Sequence, residues 1–194
     1  YYLLYWLSYF KFNFSVFLLL IVLIIVVSLF LTRGEAIPSA ILTTGLAANS
    51  ISMLLLLGFQ AIYGYVYIQM GMMITIFMLG TTLGSFYSTK HLEKFGKIHL
   101  SAIEFLLFLY SFLLPFLLLR ISGVEEISSL RVIANTIFPI LFFILGLMVG
   151  MEFPMATKFY KKKVTETAAI LYFSDLLGGC IGGLSLIYLL PFLG

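Results

Sequence analysis

Three carboxylates stand inside long apolar runs: Glu104, after Leu100-Ser101-Ala102-Ile103, Glu152, in Gly150-Met151-Glu152-Phe153-Pro154, and Asp175, in Phe173-Ser174-Asp175-Leu176-Leu177. An ionisable side chain within a membrane-length segment is costly to bury, so each is a candidate for proton or cation chemistry. Counted inward from the basic loops, Glu104 lies a few residues beyond His99, Glu152 a few before Lys158, and Asp175 beyond Thr167. At 1.5 Å per helical residue their depths are roughly 8 to 12 Å. A shared depth lets them meet in one cavity open to the cytoplasm, with Lys158 or His99 as counter-charge. The alternative is that each is a satisfied packing residue, bonded to a basic loop or a helix end.

The remaining polar residues offer less. Asn49, Gln60 and Asn135 can hydrogen-bond between helices, and such bonds are ordinary packing devices in membranes. His91 and His99 could in principle ligate haem or metal, but they are loop neighbours, whereas haem held across a bundle needs histidines on facing helices. Lys161-Lys162-Lys163 reads as an anchor against anionic lipid. The lone cysteine, Cys180, excludes an intrachain disulfide and a cysteine-cluster metal site. Every glycine cluster lies in an apolar run, so no strand-turn-helix cradle for a dinucleotide is expected, and no cofactor or catalytic residue is assigned.

These groups must be positioned by membrane helices. Hydrophobic residues make up 62% of the 194-residue chain and charged residues 10%, against about a quarter charged in an average soluble domain. Mean hydropathy is +1.16. Six apolar stretches, 14–32, 40–67, 70–89, 100–119, 131–153 and 168–191, are each long enough to span. Backbone amides in hydrocarbon must be satisfied internally, which predicts helices throughout: a single all-α integral membrane domain of about six spans. A turn around Gln69 and Gly71 separates the second and third. Beginning at Tyr1 without methionine, and stopping just after Pro191, the sequence reads as a fragment.

Lys and Arg segregate by alternate loops. Arg33, Lys90, Lys94, Lys97, Lys158, Lys161, Lys162 and Lys163 fall on one side, and Lys11, Arg120 and Arg131 on the other. The richer side is expected in the cytoplasm, with Glu125 and Glu126 outside and Tyr63, Tyr65 and Tyr67 at the outer headgroup level. The net charge of +3 is thereby explained by membrane orientation, and nucleic acid is not an expected partner. Gly80 and Gly84, Gly146 and Gly150, Gly178 and Gly182, and Gly179 and Gly183 stand four apart. Each pair lies on one helix face, where backbones can approach, and is expected to pack helices. Pro115, Pro139 and Pro154 are expected to bend or end the helices that hold them.

An ordered set of motifs supports a family resemblance. Phe59-Gln60, Tyr63-Gly64-Tyr65-Val66-Tyr67 and Met78-Leu79-Gly80-Thr81-Thr82-Leu83-Gly84-Ser85 are followed by Gly146-Leu147-Met148-Val149-Gly150-Met151-Glu152-Phe153-Pro154 and Tyr172-Phe173-Ser174-Asp175-Leu176-Leu177-Gly178-Gly179, with Gly182-Gly183 and Pro191 beyond. Over about residues 50 to 194 this resembles the membrane region of fused spermidine-synthase-like proteins, bacterial chains that join an integral membrane domain to an aminopropyltransferase-like one. That region is similar to half of a major-facilitator bundle, and Glu93-Lys94-Phe95-Gly96-Lys97 resembles the acidic-basic-x-Gly-basic loop of that superfamily. The resemblance implies a bacterial inner-membrane location and a non-catalytic scaffold or transporter-like module serving an attached domain or subunit. It singles out Glu152 and Asp175. No strand-rich segment is present, so aminopropyl transfer is not expected of these residues. Two further functions fit the residues: an accessory membrane anchor of a larger respiratory or electron-transfer complex, and a proton-coupled or polyamine/cation transporter using Glu104, Glu152 and Asp175. Membrane lipid and other protein subunits are the expected partners.

Overall fold

A computed structural model of the chain describes residues 35–63, 67–122, 127–160 and 163–193, together with residue 22. These residues form α1 (Ala36–Tyr63), α2 (Tyr67–Lys90), a short 3-10 turn (Leu92–Lys94), α3 (Lys97–Ser122), α4 (Ile127–Phe159) and α5 (Val164–Leu193), with no strand among them. Five of the described helices are long and apolar enough to cross a membrane. The first expected span, 14–32, lies outside the described residues apart from Val22, as do Tyr65, Glu125, Glu126, Lys161 and Lys162.

Four of the helices exceed the apolar runs that announce them, while α1, Ala36–Tyr63, is shifted relative to the expected 40–67. α1 begins at Ala36 rather than 40, and α4 runs to Phe159 rather than 153. The expected turn at Gln69 and Gly71 is absent: both residues lie inside α2, which begins at Tyr67. A single helical glycine costs only about 1 kcal/mol, less than an unsatisfied amide in lipid. Pro115 lies inside α3, and Pro139 and Pro154 inside α4, so none of the three ends its helix.

Two tight pairs carry the bundle, α2 with α4 and α1 with α5; α1 then crosses α4, and α3 lies against α4 and α1. The core fills the α1–α4 crossing with Leu55, Phe59, Phe138, Phe142 and Leu145, joined by Met73 of α2 and Leu107 and Leu114 of α3. Phe59 and Phe138 meet edge to face with centroids 5.4 Å apart. The outside is equally apolar. Phe105, Phe108, Phe112, Phe116, Leu109 and Leu113 stand exposed on α3 at helical spacing, a face suited to lipid and not to water.

Glycine sets both tight pairs in the same way. A Cβ on Gly80 would strike the backbone of Phe143 and Leu147, and one on Gly84 the carbonyl of Leu147. A Cβ on Gly178 would likewise strike Leu42 and Leu46, and one on Gly182 the carbonyl of Leu46. Reciprocally, Gly146 rests on Phe77 and Gly150 on Thr81, as Gly45 rests on Asp175. The Asn49 amide donates to the Gly179 carbonyl at 2.5 Å, at the place that the Gly150 contact with Thr81 holds in the other pair. α1 therefore maps onto α4 at a constant offset, Leu42 to Phe143, Gly45 to Gly146, Leu46 to Leu147 and Asn49 to Gly150. α2 maps onto α5 as Phe77 to Asp175, Gly80 to Gly178, Thr81 to Gly179 and Gly84 to Gly182. Within each pair the contacts advance together, so the helices are parallel, whereas α1 and α4 cross in opposite directions. The two pairs form an inverted repeat. Gly179 is less tightly packed, with the Gly45 carbonyl and the Asn49 Cβ at ordinary contact distance, and Gly183 faces the Asn49 and Met53 side chains.

A buried carboxylate cluster as candidate functional site

The inverted crossing of α1 and α4 brings the start of α1 beside the basic end of α4, with α3 and α5 on either side. Thr44 lies two turns into α1, Glu104 two turns into α3, and Glu152 two turns before the end of α4. Each is therefore roughly 10 to 12 Å from that end. Asp175, three turns into α5, is deeper at about 16 Å.

The Thr44 hydroxyl, itself buried, donates to Glu104 Oε1 at 3.1 Å. Glu152 sits beside both, with the Thr44 hydroxyl and Glu104 as the polar groups within its reach. It is 1% exposed, and neither of its carboxylate oxygens makes a well-formed hydrogen bond. A polar group buried in this way costs free energy, and a lone buried charge far more.

The three carboxylates do not share one cavity. Glu104 lines a hollow of about 530 Å³ at the basic end, with Glu35, Lys97, Ser101 and Tyr160. Asp175 lines a separate groove of about 650 Å³, with Asn49, Ser52 and Thr81. Glu152 lines neither and lies next to Glu104. Lys158 and His99 do not supply the expected counter-charge. The Lys158 ammonium donates to the carbonyls of Leu92 at 2.6 Å and Phe95 at 2.8 Å, and His99 Nδ1 accepts from the Gly96 amide at 3.2 Å. His91 Nδ1 lies 3.1 Å from the Tyr87 carbonyl. Both histidines thus serve the loop between α2 and α3. Among the described residues no three His, Cys, Asp or Glu are grouped to hold a metal ion.

Thr44 is the member of the cluster that charge alone does not reveal. Its signal in the sequence is depth, since it lies as far into α1 as Glu104 lies into α3. Of the other polar candidates, Asn49 bridges α1 to α5, Gln60 reaches the Met70 sulfur and Asn135 is exposed. The arrangement places one enclosed carboxylate, Glu152, next to a second, Glu104, that opens on the basic-end hollow. No family model, curated protein or solved structure matches the chain.

Proposed function

We propose that the chain is a transporter-like membrane module that carries protons through Glu104, Glu152 and Asp175. The observation that carries this reading is Glu152, enclosed in the core with no cation beside it and only the Thr44 hydroxyl and a second acid, Glu104, within reach. Such a group is stable only when neutral, and a proton is the simplest agent that makes it so. A metal cation would require several oxygen ligands converging on one point, and no such group occurs among the described residues. A scaffold for a spermidine-synthase-like partner, or an anchor for a larger complex, asks nothing of an unpaired acid in its core.

The exchange of α1 with α4 and of α2 with α5 supports a major-facilitator-like half-bundle, because inverted triplets of helices are nested within each half of such transporters. Under the positive-inside rule the end with Lys90, Lys94, Lys97 and Lys158 faces the cytoplasm of a bacterial inner membrane. The basic-end hollow is then the cytoplasmic entrance, and Thr44 fixes the rotamer of the first acceptor, Glu104.

Proteoliposomes holding a pH-sensitive dye test the proposal. A potassium-diffusion potential should drive proton movement through the unaltered protein, and Glu152→Gln should lower the rate at least tenfold while preserving a monodisperse, helical protein. An unchanged rate overturns the proposal.

A further inference from the structure

The groove beside Asp175 has the chemistry of a ligand site. Its floor is Ala48, Asn49 and Ser52 of α1 with Phe142 and Val149 of α4, and its walls are α2 and α5. The wall residues Met78 and Leu176 stand exposed on the outside of the bundle, where the helices meet lipid. About 650 Å³ lies within the range of sites for small organic ligands. The polar groups that line it include Asp175, Asn49, Ser52 and Thr81, and no basic side chain does. Phe77 and Phe142 add aromatic surface, and ring faces attract cations.

We propose that this groove binds an amphipathic amine that enters from the lipid phase, its ammonium against the Asp175 carboxylate and its alkyl chain between Met78 and Leu176. An anion is disfavoured because its charge would face Asp175 with no cation to balance it. A fully apolar ligand would leave Asp175 desolvated and unpaired. The inference rests on the proton-carrying reading only for its consequence, since an ammonium beside Asp175 makes a proton there redundant. Amine entry and proton release from Asp175 then become linked.

Cys180 is the only cysteine in the chain, and it is exposed and lines the same groove. It is therefore a built-in reporter. In choline-lipid vesicles, dodecylamine should slow maleimide labelling of Cys180 at least fivefold, whereas N-dodecylacetamide, with the same chain and no charge, should not. Asp175→Asn should lose the protection, and Asp175→Glu, which keeps the charge, should retain it even if the amide variant folds poorly. Vesicles containing an ethanolamine-headgroup lipid reveal the source: protection without added amine identifies a lipid headgroup, and protection only with dodecylamine a free amine, either supporting the proposal. Equal protection by amine and amide, or full protection in Asp175→Asn with none lost, overturns it. Glu152→Gln separates the two readings, because it should stop proton movement while leaving amine protection of Cys180 in place.

Discussion

The Lys158 ammonium lies 2.6 Å from the Leu92 carbonyl oxygen, tying the last turn of α4 to the loop that follows its partner helix α2. The same nitrogen reaches Phe95 at 2.8 Å. One cation thus caps a 3-10 turn, sharing the Leu92 carbonyl with the Phe95 amide, and the parallel pairing of α2 with α4 puts it there. Lys158→Met keeps the stem and removes the donors. Hydrogen bonds to a charged group contribute about 1.5 to 3 kcal/mol each when well sheltered. A loss of about 2 kcal/mol is expected here, with faster amide exchange confined to residues 91–96. Exchange measured by mass spectrometry in nanodiscs checks this, and unchanged protection of that loop would contradict the role given to Lys158.

Two glycines on α2 separate packing from propensity. Gly84→Ala would drive a methyl into the Leu147 carbonyl, while Gly71→Ala meets nothing within 4 Å. Both changes gain about 0.5 to 1 kcal/mol of helix propensity, so their difference measures the backbone contact. Overpacking costs about 1 to 3 kcal/mol. Thermal unfolding in mild detergent should therefore show Gly84→Ala destabilised and Gly71→Ala slightly stabilised. Equal melting temperatures would mean that α2 and α4 do not touch at Gly84.

Hydropathy and spacing reveal the class of fold because lipid leaves the backbone no alternative to helix, and the glycine pairs mark most of the close contacts. Gly45 escapes notice because its partner position four residues on is Asn49, which replaces a bare glycine contact by a donated hydrogen bond. Glu104, Glu152 and Asp175 stand out as charges in apolar runs. What sequence cannot convey is which of them is enclosed. Glu152 owes its burial to the crossing of α1 over α4, a long-range contact, and Lys158 is diverted from the cluster by loop carbonyls that no charge count considers. The misplaced turn has a local cause, since Gly71 alone is a weak helix residue there, and its cost of about 1 kcal/mol is too small to break a helix in which Gln69 has good propensity.

Thr44→Val removes the donor to Glu104 with almost no change of shape. The loss of one hydrogen bond to a carboxylate should destabilise the protein by about 1 to 2 kcal/mol. More informative is transport. With its rotamer no longer held by Thr44, Glu104 should exchange protons with Glu152 less often, so proton movement in proteoliposomes should fall by a factor of about 3 to 10. Thr44→Ser, which restores the hydroxyl, should recover it. A Ser variant as slow as the Val variant would assign the effect to the lost methyl contact and not to the hydrogen bond.

Glu152 gives the last prediction, in which stability and function move in opposite directions. A buried acid without a well-formed hydrogen bond burdens the fold, so Glu152→Leu, of similar volume and no polarity, should raise the thermal midpoint. Removing an unsatisfied buried polar group is worth about 1 to 3 kcal/mol. Glu152→Gln should change stability less, since its amide leaves polar atoms in the same enclosure. Both variants should lose proton movement, because neither can bind and release a proton. Melting curves and dye-loaded vesicles, run on the same preparations, check the pair of outcomes. If Glu152→Leu instead unfolds the protein, then Glu152 is satisfied by a partner in the membrane and its place in proton transfer is lost with the argument that put it there.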